Sequence, residues 1–423
     1  MIALDGHDDF VVRNAHAMAS NPVFLRRVGL QNYRSIGRCS VELRPVNFLV
    51  GKNGSGKSNF LDALRFVANS LETSVEHALR ERGGIGEVRR RSSGHPTHFG
   101  VRLDWTLPSG DHGTYAFRIG AMREGGFEVQ RESCQVNFAD LTVPPSVYEV
   151  RSGKVHECSL RSPPAAAIDR LFLVAVSGQP EFRPLYDGLL GMTFYNLIPN
   201  VIRELQSPSP GEVLAADGHN LASVLKRLAI GRPDDGMGRL VELLAAVVPG
   251  VQDVAYRAVG KKETLEFRQE MAGSRESWRF DAENMSDGTL RALGILVALY
   301  QTPAVGGRAV RLVGIEEPET ALHPGAAAVL RSALFEASEE RQIVVTSHSP
   351  DLLDDKRIMA DHLISVVSHG GQTVLGAVDA ASRTSMRDQL FTAGELLRLD
   401  QLGSEEAGLD KDPALQPELF DQR

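Results

Sequence analysis

The sequence predicts an α/β fold built around a phosphate loop, and three observations carry that expectation. Gly51-Lys52-Asn53-Gly54-Ser55-Gly56-Lys57-Ser58 fits the pattern G-x-x-x-x-G-K-[ST]. The loop lies between a short apolar run at 46–50 and a stretch of helical periodicity, where such a loop must lie. The last third of the chain alternates helix and strand patterns, which implies a parallel sheet covered by helices.

In chain order, residues 1–21 carry no clear period and read as an N-terminal extension. Two β-type segments follow, 23–33 and 40–43, and Pro45 restarts the chain. The run 46–50, bounded by Pro and Gly, reads as a buried strand. Phe60, Leu64, Val67, Leu71, Val75 and Leu79 recur every three or four residues, an amphipathic helix stopped by Gly83-Gly84. From about 97 to 150 apolar and polar residues alternate between Gly breaks, which predicts antiparallel hairpins. Helical stretches follow at 221–228 and 240–247; then come a helix at 288–300, a strand at 310–315, a helix at 324–339 and a strand at 343–346. Neither long heptads nor an internal repeat interrupts this order.

Composition excludes several classes. The 423 residues are 42% hydrophobic and 24% charged, with 46 basic against 54 acidic side chains and a net charge of −8. A disordered or fibrous chain would be poorer in hydrophobics or strongly periodic. Three cysteines (Cys39, Cys134, Cys158) argue against a disulfide framework and for a reducing interior. No apolar run approaches the roughly 18–20 residues needed to cross a bilayer, and Met1 to Asp9 lacks the pattern of a secretory signal. The expectation is a soluble, cytoplasmic protein without a membrane partner. The charge is uneven: 22–103 holds fourteen Arg/Lys against six Asp/Glu, whereas 394–423 holds eight acids against three bases. A polyanion contact near the N-terminal half is therefore compatible with the acidic total.

Four segments carry chemistry. In the phosphate loop, Asn53, Gly54, Ser55, Gly56 and Asn59 would let backbone N–H groups close around phosphate oxygens at a helix N-terminus. Lys57 would reach the β- and γ-phosphates of ATP, and Ser58 would ligate Mg²⁺. The strand ending Ile315-Glu316-Glu317 supplies two carboxylates. Glu316 would act on the Mg²⁺ shell, and Glu317 would polarise the attacking water. Ser286 and Gly288 open a helix whose N-terminus can face an anion, although Ser and Asp there are also ordinary helix caps. His348 ends a strand in a polar loop, where it could bond the γ-phosphate or the water.

With these segments in this order, the chain resembles the ABC-type ATPases, and more narrowly the RecF/SMC/OLD-like branch of AAA-family ATPases. The resemblance rests on Gln31 to Ile36, Gly51 to Asn59, Ser286 to Leu290, Glu316 to Pro324 and Thr346 to Pro350. It covers 22–100 and 280–380 well and the middle loosely. Three departures steer away from transporters: Glu316 replaces the usual Walker B aspartate, Asp287-Gly288 the signature Gly-Gly, and His323 the D-loop aspartate.

The resemblance implies a P-loop NTPase fold, an ABC-type head with an antiparallel β subdomain and an inserted α+β lobe. Its parts would be an N-terminal extension (1–21), the first half of the head (22–100), an inserted β-hairpin and helical lobe (101–280), the second half of the head (281–380), and a C-terminal helix with an acidic tail (381–423). It also implies a homodimer with ATP at the interface, Ser286 and Gly288 of one chain facing Lys57, Ser58, Glu317 and His348 of the other. The implied role is an ATPase of DNA repair or anti-phage defence working with a separately encoded nuclease or other effector. DNA would be contacted through Arg80, Arg82, Arg89, Arg90 and Arg91. A nucleotide-gated sensor or scaffold for a protein partner, without DNA, is the alternative. OLD proteins carry a nuclease domain after the head. The acidic residues after His348 argue against one here, since Asp351, Asp354 and Asp355 follow Pro350 at a helix start, where carboxylates suit the helix dipole.

Overall fold

The computed structural model describes residues 23–91, 96–230, 236–271, 273, 276–301 and 308–405. The expected extension 1–21 and the end of the acidic tail lie outside these residues. β1 (Leu25–Tyr33), β2 (Ile36–Glu42) and β3 (Val46–Val50) precede the phosphate loop. The alternating region forms the expected hairpins, as β4 (His98–Thr106), β5 (His112–Ala121), β6 (Phe127–Asn137) and β7 (Ser146–Arg151), and β8 (Lys154–Cys158) adds a strand beyond the expected region. After β9 (Met192–Tyr195), β10 (Val251–Val259), β11 (Lys262–Gln269) and β12 (Trp278–Asp281) make a separate three-stranded antiparallel sheet. β13 (Leu312–Glu316), β14 (Gln342–Ser347), β15 (Leu363–His369) and β16 (Gln372–Gly376) complete the set.

All strands outside β10–β12 join one thirteen-stranded sheet, in the order β8-β7-β6-β5-β4-β1-β2-β16-β15-β3-β14-β13-β9. From β15 to β9 neighbouring strands are parallel. From β8 to β2 they are antiparallel. The two regions are stitched together by the β15–β16 hairpin and one parallel pairing of Thr373 with Ile36.

Burial explains this division. All five residues of β3 are buried, as expected of a strand covered on both faces. Successive side chains point to opposite faces. Leu49, Leu312 and Val344 accordingly join one core with Phe60, Leu61 and Leu64 of the helix Lys57–Glu72. Phe48, Val313 and Val345 join the other core, with Leu290, Leu293 and Leu330 from the helices Asp287–Tyr300 and Pro324–Ala337.

Two differences from the sequence pattern have local causes. The helix expected through Leu79 ends at Glu72, because the Thr73 hydroxyl donates to the Asn69 carbonyl and the Ser74 side chain caps a new helix, Val75–Arg80. The four residues of β9 lie within the stretch expected as an insertion, yet they pair in parallel with β13 at the edge of the main sheet. Residues 101–280 are thus threaded through both sheets.

In the antiparallel wing, Glu132 is fully buried. It accepts hydrogen bonds from the hydroxyls of Tyr115 (3.1 Å) and Tyr148 (2.8 Å) and from the N–H groups of Phe172 and Leu173. Burial pushes its carboxyl above the usual range, and these donors oppose the shift. Glu132→Ala would orphan four donors, so urea unfolding should report a loss of about 3 kcal/mol or more.

Candidate active site

Register assembles the site. Adjacent parallel strands β3, β14 and β13 end together, Val50 beside Ser347 and Thr346 beside Glu316. Ligands in open α/β sheets bind outside the carboxyl ends of the strands. Here those ends deliver Gly51 and the phosphate loop, His348, and Glu317 to one place.

The loop geometry suits an anion. Gly54 and Gly56 adopt φ of 76° and 104°, in the left-handed region that favours glycine. A Cβ on Gly56 would also lie 2.0 Å from the Thr373 hydroxyl oxygen. No side chain caps the helix Lys57–Glu72, and its first turn holds no acid, which suits its N-terminus to phosphate. Ser58, at its start, is exposed. Lys57 is folded back, donating to the carbonyls of Gly51 (2.8 Å) and Lys52 (3.1 Å). Burial draws its ammonium below the ordinary range, with Glu317 and Glu319 opposing. Beneath the loop, the Thr373 hydroxyl donates to the Ser55 carbonyl (2.7 Å) and meets Ser35 (2.6 Å), which accepts from Asn59 (2.6 Å).

The acidic side is equally ordered. Glu316 lies 3.3 Å from the Arg65 guanidinium. Glu317 has φ of 43°, costly for a residue with a Cβ. Its N–H donates to the carbonyl and hydroxyl oxygens of Thr346. His348 Nδ1 lies 3.3 Å from Glu317 Oε1 and 3.9 Å from Glu319 Oε1.

Sequence reasoning missed two residues. Arg291, on the helix Asp287–Tyr300, donates to the carbonyls of Leu197 (2.8 Å), Glu316 and Glu317 (both 3.0 Å). Burial lowers its pKa, with Glu319, Glu317 and Glu316 opposing. Glu319 accepts from the Ser347 hydroxyl (2.7 Å) and the His348 N–H (3.2 Å). Glu319 was visible as the last acid of Glu316-Glu317-Pro318-Glu319, but only the fold brings β14 to it. Arg291 carried no signal, because its partners are backbone atoms.

Ser286 and Gly288 stand apart from this cluster. Ser286 is exposed and caps its own helix by accepting the Thr289 N–H. Gly288 packs where a Cβ would lie 2.4 Å from the Ala321 carbonyl oxygen. His323 caps the helix Pro324–Ala337.

The five arginines separate. Arg82 is bound to Asp62 (3.0 Å), Arg89 to the Pro96 carbonyl (2.7 Å) and Arg90 to Gln372 (2.9 Å), whereas Arg80 and Arg91 are exposed and meet only surface partners on their own segment, His77 (3.0 Å) and Glu87. Asp351 and Asp354 pair with Arg398, and Asp355 with Arg331 and Arg357. Among the described residues no His, Cys, Asp or Glu trio could hold a metal ion, and no helix is long and apolar enough to cross a membrane. Mg²⁺ needs no such cage, since it binds through one or two carboxylates with water and substrate phosphates. The Ser58 hydroxyl and the Glu316 carboxylate fit that donor set.

Parts of the chain are similar to known proteins in sequence or in structure. Residues 24–97 match the family described as an AAA ATPase domain. Residues 249–354 match the family described as an AAA domain, putative AbiEii toxin, Type IV TA system. Over 55 residues the chain is 44% identical to the DNA replication and repair protein RecF of Colwellia psychrerythraea (strain 34H). That match covers 12% of the chain and 15% of that relative's length. The SMC head bound to the C-terminal winged-helix domain of ScpA aligns with a TM-score of 0.52 at 14% identity, covering 85% of this chain and 99% of that one. The Pyrococcus furiosus Smc head with an extended coiled coil, bound to the C-terminal domain of ScpA, aligns at 0.50 and 11% identity, covering 87% and 99%. The structural likeness shows that the chain has the fold of an SMC-type head, and the stretches 24–97 and 249–354, which hold the two halves of the site, are similar to AAA-family ATPase domains.

Proposed function

We propose that the chain binds Mg²⁺·ATP and hydrolyses it, two copies closing around the nucleotide. The convergence of Lys57, Glu317 and His348 at the ends of three adjacent parallel strands carries this reading. Lys57 leaves its loop carbonyls to meet the β- and γ-phosphates. Ser58 and Glu316 hold Mg²⁺, which when bound neutralises charge on the phosphate oxygens. Glu317 orients and polarises the attacking water, and His348 bonds the γ-phosphate side. Ser286, exposed in one chain, and the half-buried Gly288 N–H serve the nucleotide of the second copy as donors to γ-phosphate charge.

The exposed Arg80 and Arg91, in a stretch of excess positive charge, favour contact with a DNA backbone. Work in DNA repair accords with the likeness to RecF, a DNA replication and repair protein, and anti-phage defence beside a separate effector is the other role that the resemblance implies. The internal bonding of Arg82, Arg89 and Arg90 favours the second reading, a nucleotide-gated sensor or scaffold for a protein partner. ATP turnover with and without DNA, across a salt series, separates the two. Turnover lost in Lys57→Ala, and stimulated by DNA with steep salt sensitivity, supports the first reading. Turnover that DNA leaves unchanged supports the second, and wild-type turnover no higher than that of Lys57→Ala rejects the ATPase.

A further inference from the structure

Glu319 is built into the site more firmly than either neighbouring carboxylate. Its side chain is only 10% exposed, against 18% for Glu316 and 38% for Glu317. Oε1 accepts the Ser347 hydroxyl and the His348 N–H, and lies 3.9 Å from His348 Nδ1. Oε2 is buried without a hydrogen-bond partner. A buried carboxylate oxygen left unpaired is costly, so its place calls for an account. Its charge is felt by Lys57 and is the leading favourable influence on the Arg291 guanidinium. Among the described residues, Glu319 is the carboxylate that accepts the His348 backbone N–H, whereas Glu317 faces the imidazole Nδ1 at 3.3 Å.

We infer that Glu319 is the positioning residue for His348. It fixes the turn after β14 so that the imidazole faces the terminal phosphate of bound ATP beside Glu317. The two bonds need an acceptor, and a glutamine carbonyl can replace the carboxylate oxygen in both. Loss of the acceptor frees the turn but breaks no hydrogen bond to the phosphate loop, whose Lys57 also keeps the opposing charge of Glu317. This assignment rests on the ATP reading above, but its test does not depend on turnover alone.

The experiment compares wild type, Glu319→Gln, Glu319→Ala and Lys57→Ala. It measures phosphate release and, separately, the affinities for ATP and ADP, with thermal unfolding as a control for folding. In Glu319→Ala, kcat should fall about 30-fold, less than the roughly 10²–10⁴-fold that a general acid or base itself contributes, because the histidine is displaced rather than removed. The preference for ATP over ADP should fall about tenfold, with ADP affinity within twofold of wild type. Glu319→Gln should retain kcat within about threefold, and its ATP preference should be unchanged. Equal loss of ATP and ADP affinity in Glu319→Ala would mean a structural role and overturn the assignment. Equal damage in the Gln and Ala variants, or none in Ala, would overturn it too. If wild type binds ATP but does not turn it over, hydrolysis is rejected, and the ATP-over-ADP preference still decides the role of Glu319.

Discussion

Glu317→Gln will cut ATP turnover by about 10²–10⁴-fold, the usual contribution of a positioned general base, while ATP-loaded dimers accumulate. Glutamine keeps the shape and length of glutamate, so the strand end and its bonds to Thr346 stay in place. What disappears is the negative charge that faces Lys57 and lies 3.3 Å from His348 Nδ1. Lys57 and the phosphate loop are unchanged, so nucleotide affinity should hold. Phosphate release measures the chemical loss, and size-exclusion chromatography with ATP measures the trapped dimer. Unaltered turnover would remove Glu317 from the role of base. Lost turnover with no ATP-dependent change in elution would separate hydrolysis from dimerisation.

Arg291→Met will lower both stability and turnover. The guanidinium reaches three carbonyls at 2.8–3.0 Å from a site only 8% exposed. Leaving buried carbonyls unpaired costs about 1–3 kcal/mol each, but removing a desolvated cation returns part of that, so a net loss of about 2–4 kcal/mol is expected in urea. Turnover should fall for a separate reason. Glu317 is held at φ 43°, a conformation worth about 1–3 kcal/mol of strain, and Arg291 grips its carbonyl. Released, the backbone relaxes and the carboxylate leaves the water. We expect kcat about tenfold lower or less, with little change in ATP affinity. Arg291→Lys should not rescue, because an ammonium cannot span three acceptors in a fixed fork. A Lys variant as stable and active as wild type would sink this account.

The readable parts of this chain are those whose cause is local. The phosphate loop announces itself because glycines, lysine and serine must fall at fixed spacing between an apolar strand and a periodic helix. Glu316-Glu317 and His348 were readable because each ends an apolar run. The hairpins at 98–151 and the parallel core followed from alternation and from continuous apolar runs. β9 was not readable, since four residues give too little pattern and only β13 makes them a strand. Arg82 and Arg91 look alike in sequence, yet one is paired with Asp62 inside the fold and the other is exposed. Arg291 and Glu319 were hidden for a related reason, because their partners are backbone groups and loops that only tertiary folding brings near.

Thr373 gives the joined sheet a mechanical consequence. Its strand couples the antiparallel wing to the parallel core, and its hydroxyl presses on the Ser55 carbonyl and on the space beside Gly56. The wing is therefore a lever whose fulcrum lies beneath the phosphate loop. A load applied near β8 would reach Thr373 through a continuous run of eight neighbouring strands, β8 to β16.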